Sequence, residues 1–218
     1  MKIEGRELTL IFDGDKDNLT VAVDNFDISF GPNGILGIMG PSGSGKSSIL
    51  YLLSGLKKPT AGSIFYDNRD ILLLNKNDMN GIRQDRFGFI FQRHYLIAHL
   101  GILENILLPL KTISEEDTER ALDIMKKMGL LKYKDKKPGE ISVGERQKAA
   151  IIRALINRPE VLFADEPTAS LDMDSALFAM ELIEDCMKDG SVIVVTHDYK
   201  ILKNADRIIH IRDGKQVS

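Results

Sequence analysis

The sequence predicts an α/β protein built around a parallel sheet, and three features carry that reading. Short apolar runs of strand length alternate with segments of helical periodicity. One such run, Ile35-Leu36-Gly37-Ile38-Met39, leads into a glycine-rich stretch and then a helix. Another, Val161-Leu162-Phe163-Ala164, ends on two adjacent carboxylates, Asp165 and Glu166.

The elements follow in order. Residues 8–12 and 19–23 read as strands on either side of a polar turn at 13–18, and Phe26, Ile28 and Phe30 alternate with polar residues. Gly31-Pro32-Asn33-Gly34 is a turn cluster before the apolar run at 35–39. Residues 48–56 read as a helix that Gly55 and Pro59 end. Residues 87–90 form a strand. The middle of the chain is mostly helical: Ser114 with Asp117 opens one helix, whose apolar face runs through Ala121, Ile124, Met125 and Met128. A further helix spans 142–157 and stops before Pro159. Residues 174–188 have helical periodicity between the strands 161–164 and 192–195.

Composition narrows the classes. With 218 residues, 43% hydrophobic and 28% charged, the chain has the size of one domain or of one domain with an appended lobe. Those proportions exclude disordered, collagenous and disulfide-rich scaffolds. The balance of 29 Lys+Arg against 32 Asp+Glu gives −3, so no strong basic field gathers nucleic acid. The single Cys186 cannot form an internal disulfide, which favours a reducing compartment. No secretory signal is visible, and no run approaches the roughly 18 apolar residues of a spanning helix. Membrane work is therefore expected to come through a partner.

The sharpest chemical signal is Gly40-Pro41-Ser42-Gly43-Ser44-Gly45-Lys46-Ser47, a full match to G-x-x-x-x-G-K-[ST] between a strand and a helix. Glycines let backbone N–H groups close around phosphate oxygens, and the helix N-terminus adds positive potential. Lys46 can reach the β- and γ-phosphates, while the Ser47 hydroxyl can coordinate Mg2+. Asp165 ends its strand near this loop, at the edge where α/β sheets bind ligands, and can hold the same ion. Glu166 is then placed to orient or polarise an attacking water.

Three further elements narrow the branch. Ile141-Ser142-Val143-Gly144-Glu145-Arg146-Gln147-Lys148 opens a helix, Phe91-Gln92 follows the strand at 87–90, and His197 follows the strand at 192–196. With these in place the chain resembles the ATP-binding-cassette (ABC) ATPases over nearly its whole length. The family's motifs run in order: phosphate loop, glutamine loop, signature, acidic strand, the Ser170-Leu171-Asp172 loop and the switch histidine. The signature departs from L-S-G-G-Q, with Ile141, Val143 and Glu145 at altered positions and Lys148 for the later arginine. Ser142-Val143-Gly144-Glu145 is also a helix capping box, and Glu145 is expected to turn back to the Ser142 N–H, away from phosphate.

The resemblance implies a phosphate-loop NTPase fold of the ABC ATPase type, with an N-terminal antiparallel β subdomain and an α-helical subdomain. It divides the single domain, 1–218, into a nucleotide-binding core at about 1–92 and 158–218 and a helical part at about 93–157. Two such cassettes pair head to tail around two ATP molecules. Gly40, Pro41, Ser42, Gly43, Ser44, Gly45, Lys46, Ser47 and Ser48 then bind the phosphates, and Phe12 stacks on adenine. Gln92 helps Ser47 and Asp165 hold Mg2+, Glu166 is the catalytic base, and His197 contacts the γ-phosphate. Ser142 and Gly144, with Asp172 on the adjoining loop, belong to the composite nucleotide site.

The resemblance also implies a membrane permease as partner, docked in a groove formed near Gln92 through Asn105, on the cytoplasmic face of the cell membrane. The wording of that segment and the polar insert at 13–18 are similar to the macrolide-exporter and lipoprotein-releasing subfamily. The rival class is a soluble cassette ATPase acting on DNA or ribosomes, which the acidic charge and short length argue against. His94, His99 and His210 lack metal-ligand spacing and are expected at the surface or in packing; Cys186 and the pair Met125 and Met128 are expected in the core. The lysine-rich run 132–137 reads as a solvated loop.

Overall fold

The computed structural model describes residues 1–13 and 19–217. The polar turn at 14–18, with the subfamily reading attached to it, lies outside the described residues. The elements are β1 (Ile3–Asp13), β2 (Leu19–Phe30), β3 (Gly34–Met39), α1 (Lys46–Leu53), β4 (Ala61–Tyr66), β5 (Arg69–Asp70), α2 (Lys76–Arg86), β6 (Phe87–Ile90) and α3 (Ile102–Leu107). They continue with α4 (Glu115–Lys127), α5 (Val143–Leu155), β7 (Val161–Asp165), α6 (Met173–Cys186), β8 (Ser191–Thr196), β9 (Arg207–Arg212) and β10 (Lys215–Val217).

Two sheets form. The first is antiparallel, in the order β2-β1-β4-β5. The second runs β10-β9-β3-β8-β7-β6; its five inner and far strands are parallel, and β10 pairs antiparallel at one edge. The apolar runs of the parallel strands are buried on both faces, so their alternation sorts side chains into two cores. Leu36, Ile38, Val161, Phe163, Ile193 and Val195 face α1 and the antiparallel sheet. Ile35, Met39, Leu162, Ala164, Val192 and Val194 face the helices α3 to α6. Phe163 is fully buried between Phe87 and Phe89, with ring centroids 5.0 and 5.6 Å away.

Helix boundaries differ from the sequence expectation by a few residues, for local reasons. The helix expected at 48–56 spans Lys46–Leu53, because Gly45 turns left-handed immediately before it and Gly55, at φ +65°, ends it. The helices expected at 142–157 and 174–188 begin one residue after capping side chains, Ser142 and Asp172. The strands expected at 19–23 and 26–30 are one continuous β2 in which Asn25 adopts φ +49° and the register against β1 shifts. Gly88 lets α5 approach β6: a Cβ there would lie 2.4 Å from the Ala154 carbonyl oxygen. Among the described residues, no helix is long and apolar enough to cross a membrane.

Candidate nucleotide site

Strand register brings the motif residues together. Met39 pairs with Thr196, Val195 with Asp165, and Ala164 with Ile90. Gly40, His197, Glu166 and Gln92 each lie one or two residues beyond these pairs, so they emerge at one edge of the sheet. That edge is formed by the carboxyl ends of the parallel strands, where α/β folds bind ligands.

The phosphate loop is shaped by steric necessity. Gly45 sits at φ +98°, and a Cβ there would lie 2.1 Å from the Ala22 carbonyl oxygen. Lys46 is buried and folds across its own loop, donating to the Pro41 carbonyl at 2.8 Å. Among the described residues, the buried Ser44 hydroxyl has no hydrogen-bond partner. A phosphate oxygen supplies the partner such a hydroxyl needs, so the loop fits an anion as the motif requires.

Beside the loop lies the acidic pair. Asp165 is 1% exposed and accepts two hydrogen bonds from α1: Ser47 Oγ donates to Oδ1 and Tyr51 OH to Oδ2, both at 2.9 Å. Burial pushes its carboxyl above the usual carboxylate range, and the two hydroxyls oppose that rise. Burial and the bond to Asp165 push the Tyr51 hydroxyl well above its ordinary value. Ser47 and Asp165 present hard oxygen donors, a set suited to Mg2+. Glu166 adopts φ +49°, an uncommon backbone for a non-glycine residue. Its N–H donates to the Val195 carbonyl at 2.8 Å, Thr196 Oγ1 donates to Oε2 at 3.1 Å, and His197 Nδ1 lies 2.8 Å from Oε1. The carboxylate is thereby aimed, with most of its surface covered.

The other predicted residues are placed around this centre. Gln92 is exposed just past β6. Phe12 is 37% exposed on β1, not core-facing, and Lys57 Nζ sits 3.7 Å from its ring centroid. Ser142 caps α5 through Glu145 N–H at 3.2 Å, and Glu145 Oε2 accepts from the Ser142 N–H at 2.7 Å, closing the expected capping box. The Tyr133 hydroxyl and the Ser142 donors hold the Glu145 carboxyl below its usual range. Gly144 faces the Ser170 carbonyl, and Asp172 caps α6 by accepting from Ser175 N–H at 2.9 Å. No hydrogen bond among the described residues joins Ser142, Gly144 or Asp172 to the phosphate loop.

Sequence reasoning passed over several groups. Tyr51 and Thr196 hold the two carboxylates directly. His94, expected at the surface or in packing, is half-buried, with Nε2 2.8 Å from Gln147 Oε1. The buried Gln147 donates through Nε2 to the Pro167 carbonyl at 2.6 Å, so its oxygen is the acceptor and His94 the donor. Arg153 donates to the His94 and Tyr95 carbonyls, each at 2.7 Å. A cavity of about 390 Å³ opens beside this turn, lined in part by Phe89, Phe91, Tyr95, Leu108 and Pro109. Gln92 does not line it, and neither does Asn105. Its buried amide instead ties Ile97, Leu100 and Gly101 together and shapes the segment from behind.

Hydroxyl, lysine and carboxylate groups converge at a helix N-terminus beside a restrained glutamate, an arrangement that can grip a polyphosphate while water attacks it. The class so defined is the phosphate-loop nucleoside triphosphatases. Comparison with known proteins narrows it: the family described as ABC transporter matches residues 23–169, and the chain belongs to that family as an ATP-binding, ATP-hydrolysing cassette. The chain is 39% identical over 200 residues to the lipoprotein-releasing system ATP-binding protein LolD of Wigglesworthia glossinidia brevipalpis, covering 89% of this chain and 87% of that one. It is 36% identical over 211 residues to the macrolide export ATP-binding/permease protein MacB of Shewanella sp. (strain ANA-3), covering 95% of this chain but 32% of that protein. Its fold matches a dimeric, post-hydrolysis structure of the ATP-binding cassette MJ0796 bound to ADP and Pi. The TM-score is 0.92 at 32% identity, with 99% of this chain and 97% of that chain covered.

Proposed function

We propose that the chain is the ATPase subunit of a LolD- or MacB-type transporter, working as a homodimer beneath an integral membrane permease. The observation that carries this reading is the aimed Glu166 carboxylate, 2.8 Å from His197 and beside the phosphate loop. Gly40 through Ser48 hold the phosphates and Phe12 supports adenine. Ser142 and Gly144 of each copy complete the other copy's site, with Asp172 next to them. This assignment is supported by the position of Ser142 at a helix N-terminus, where positive potential suits a γ-phosphate.

Glu166 takes a proton from water as its oxygen bonds to the γ-phosphorus, and the bond to the β,γ-bridging oxygen breaks to release ADP and phosphate. Lys46 and His197 balance charge on the transferring group. Mg2+, held through Ser47, Asp165 and Gln92, supplies charge neutralisation of the phosphates when bound. Residues 93–157 act as the helical subdomain, and the permease docks in the cavity lined in part by Phe89, Phe91, Tyr95 and Leu108, with Arg83 and Arg153 also on its wall. The apolar lining of that cavity supports a helix-in-groove contact. Such a partner keeps the chain peripheral, on the cytoplasmic face of the cell membrane.

The test is recovery of the chain from detergent-solubilised membranes. Co-purification with a polytopic membrane protein is expected. Recovery with nucleic acid or ribosomes would instead favour a soluble cassette ATPase.

A further inference from the structure

Two hydroxyls from one face of α1 hold the two oxygens of Asp165. Ser47 and Tyr51 lie four residues apart, so successive turns of the helix present both to the same carboxylate. Only Ser47 belongs to the phosphate-loop motif. The Tyr51 ring is itself fixed from the side. Its centroid is 6.5 Å from that of Phe91, which stacks on Phe89 at 5.5 Å and meets Tyr95 edge-on at 5.4 Å. The aim of the Tyr51 hydroxyl is thus set by packed rings rather than by a freely rotating side chain.

We infer that Tyr51 is the positioning residue for Asp165: its hydroxyl clamps Oδ2 so that Oδ1 stays oriented toward Ser47 and the divalent cation. This inference rests on the proposed reading of Asp165 as a Mg2+-holding carboxylate. The terminal torsion of an aspartate is broad and roughly twofold, so one tethered oxygen leaves the plane of the carboxylate loosely defined. A second donor selects a single plane. Mg2+ demands near-ideal octahedral geometry and tolerates a wandering ligand poorly. Groups that orient a ligand without touching the metal are worth about 10–100-fold in metal affinity. Tyr51 also gives Asp165 a contact with the ring row that lines the 390 Å³ cavity, through Phe91.

Tyr51→Phe keeps the ring and its packing and deletes only the hydroxyl. The measurement is binding of a fluorescent ATP analogue to the full chain, in EDTA and across a Mg2+ titration. Affinity in EDTA should match that of the unaltered chain, while the Mg2+ concentration at half-effect should rise about tenfold or more. An unchanged Mg2+ half-point overturns the inference, as does an equal loss of affinity with and without Mg2+, which marks a merely structural hydroxyl. If the unaltered chain shows no Mg2+ effect on binding, the reading of Asp165 falls and the inference falls with it. A Mg2+-sensitive parent whose half-point the variant shares removes Tyr51 alone.

Discussion

His197 Nδ1 lies 2.8 Å from Glu166 Oε1, and the same carboxylate takes a second hydrogen bond from Thr196 at its other oxygen. The acceptor is a carboxylate, so Nδ1 carries the proton and Nε2 remains for another partner. Glu166→Gln keeps the shape and an acceptor oxygen but cannot take a proton from water. Turnover should fall about 10²–10⁴-fold, the usual span for a general base, while ATP still binds and an ATP-bound dimer accumulates. Phosphate release and size-exclusion chromatography with ATP check both halves. Unchanged steady-state hydrolysis would remove Glu166 from the base role.

Lys46→Ala tests the phosphate loop. In this structure the ammonium rests on the Pro41 carbonyl, so the loop's shape already accommodates it. Its removal should abolish nucleotide-dependent dimerisation while the fold survives. Gly45→Ala should act differently, because its Cβ would collide with the Ala22 carbonyl and its backbone is left-handed. That variant is expected to lose melting temperature as well as nucleotide binding. A dimer that forms with ATP despite Lys46→Ala would contradict the sandwich.

Much of this was legible in the sequence because the deciding features are local. A glycine loop between a strand and a helix, an apolar run ending on Asp165 and Glu166, and Ser142 with Glu145 three residues on each announce their own geometry. The stretch 61–86 announced little. It holds β4, β5 and α2, and α2 buries only Met79, so its apolar periodicity is too thin to read. Its cap was visible in principle: Asn75 accepts from both Asn77 and Asp78 N–H groups. Tyr51, Thr196 and the His94–Gln147–Pro167 chain were hidden for another reason. Each acts across a long sequence separation, and only strand register and the close approach of α5 to β6 bring the partners together.

The altered signature yields a third prediction. Glu145 is spent on the capping box, its carboxylate turned to the Ser142 N–H. Glutamine can fill the same capping role without charge. Glu145→Gln should lower the melting temperature, because the folded chain holds this carboxyl below its usual range, and yet tighten ATP-driven dimerisation, since a negative charge near the proposed γ-phosphate position disappears. Ser142→Ala should cost about 1 kcal/mol of stability as a lost N-cap and also weaken the dimer. Thermal melts and dimerisation isotherms of the two variants separate the capping effect from the composite-site effect. Equal dimerisation in all three proteins would exclude the signature from the nucleotide interface.

The same helix caps set the acid limb of stability. Asp117 is held below its ordinary value by the Ser114 hydroxyl and N–H, and Asp172 by the Ser175 N–H. Glu140 is lowered likewise, by the Lys137 N–H first and then by Lys136. For each, the folded chain releases the proton more readily than the unfolded chain does, so the unfolded state binds more protons as pH falls. The stabilisation is complete above the unfolded values near pH 4 and disappears as pH falls through the lower folded values. The contribution of these three carboxyls to the melting temperature should therefore be flat from about pH 7 to about pH 5 and decline below about pH 4. Replacing Asp117 with Asn keeps a side-chain oxygen for the Ser114 donors but removes the titration. Its melting temperature should lie below that of the parent at neutral pH and converge with it in acid. Curves that stay parallel down to about pH 3 would show that this cap contributes nothing to acid unfolding.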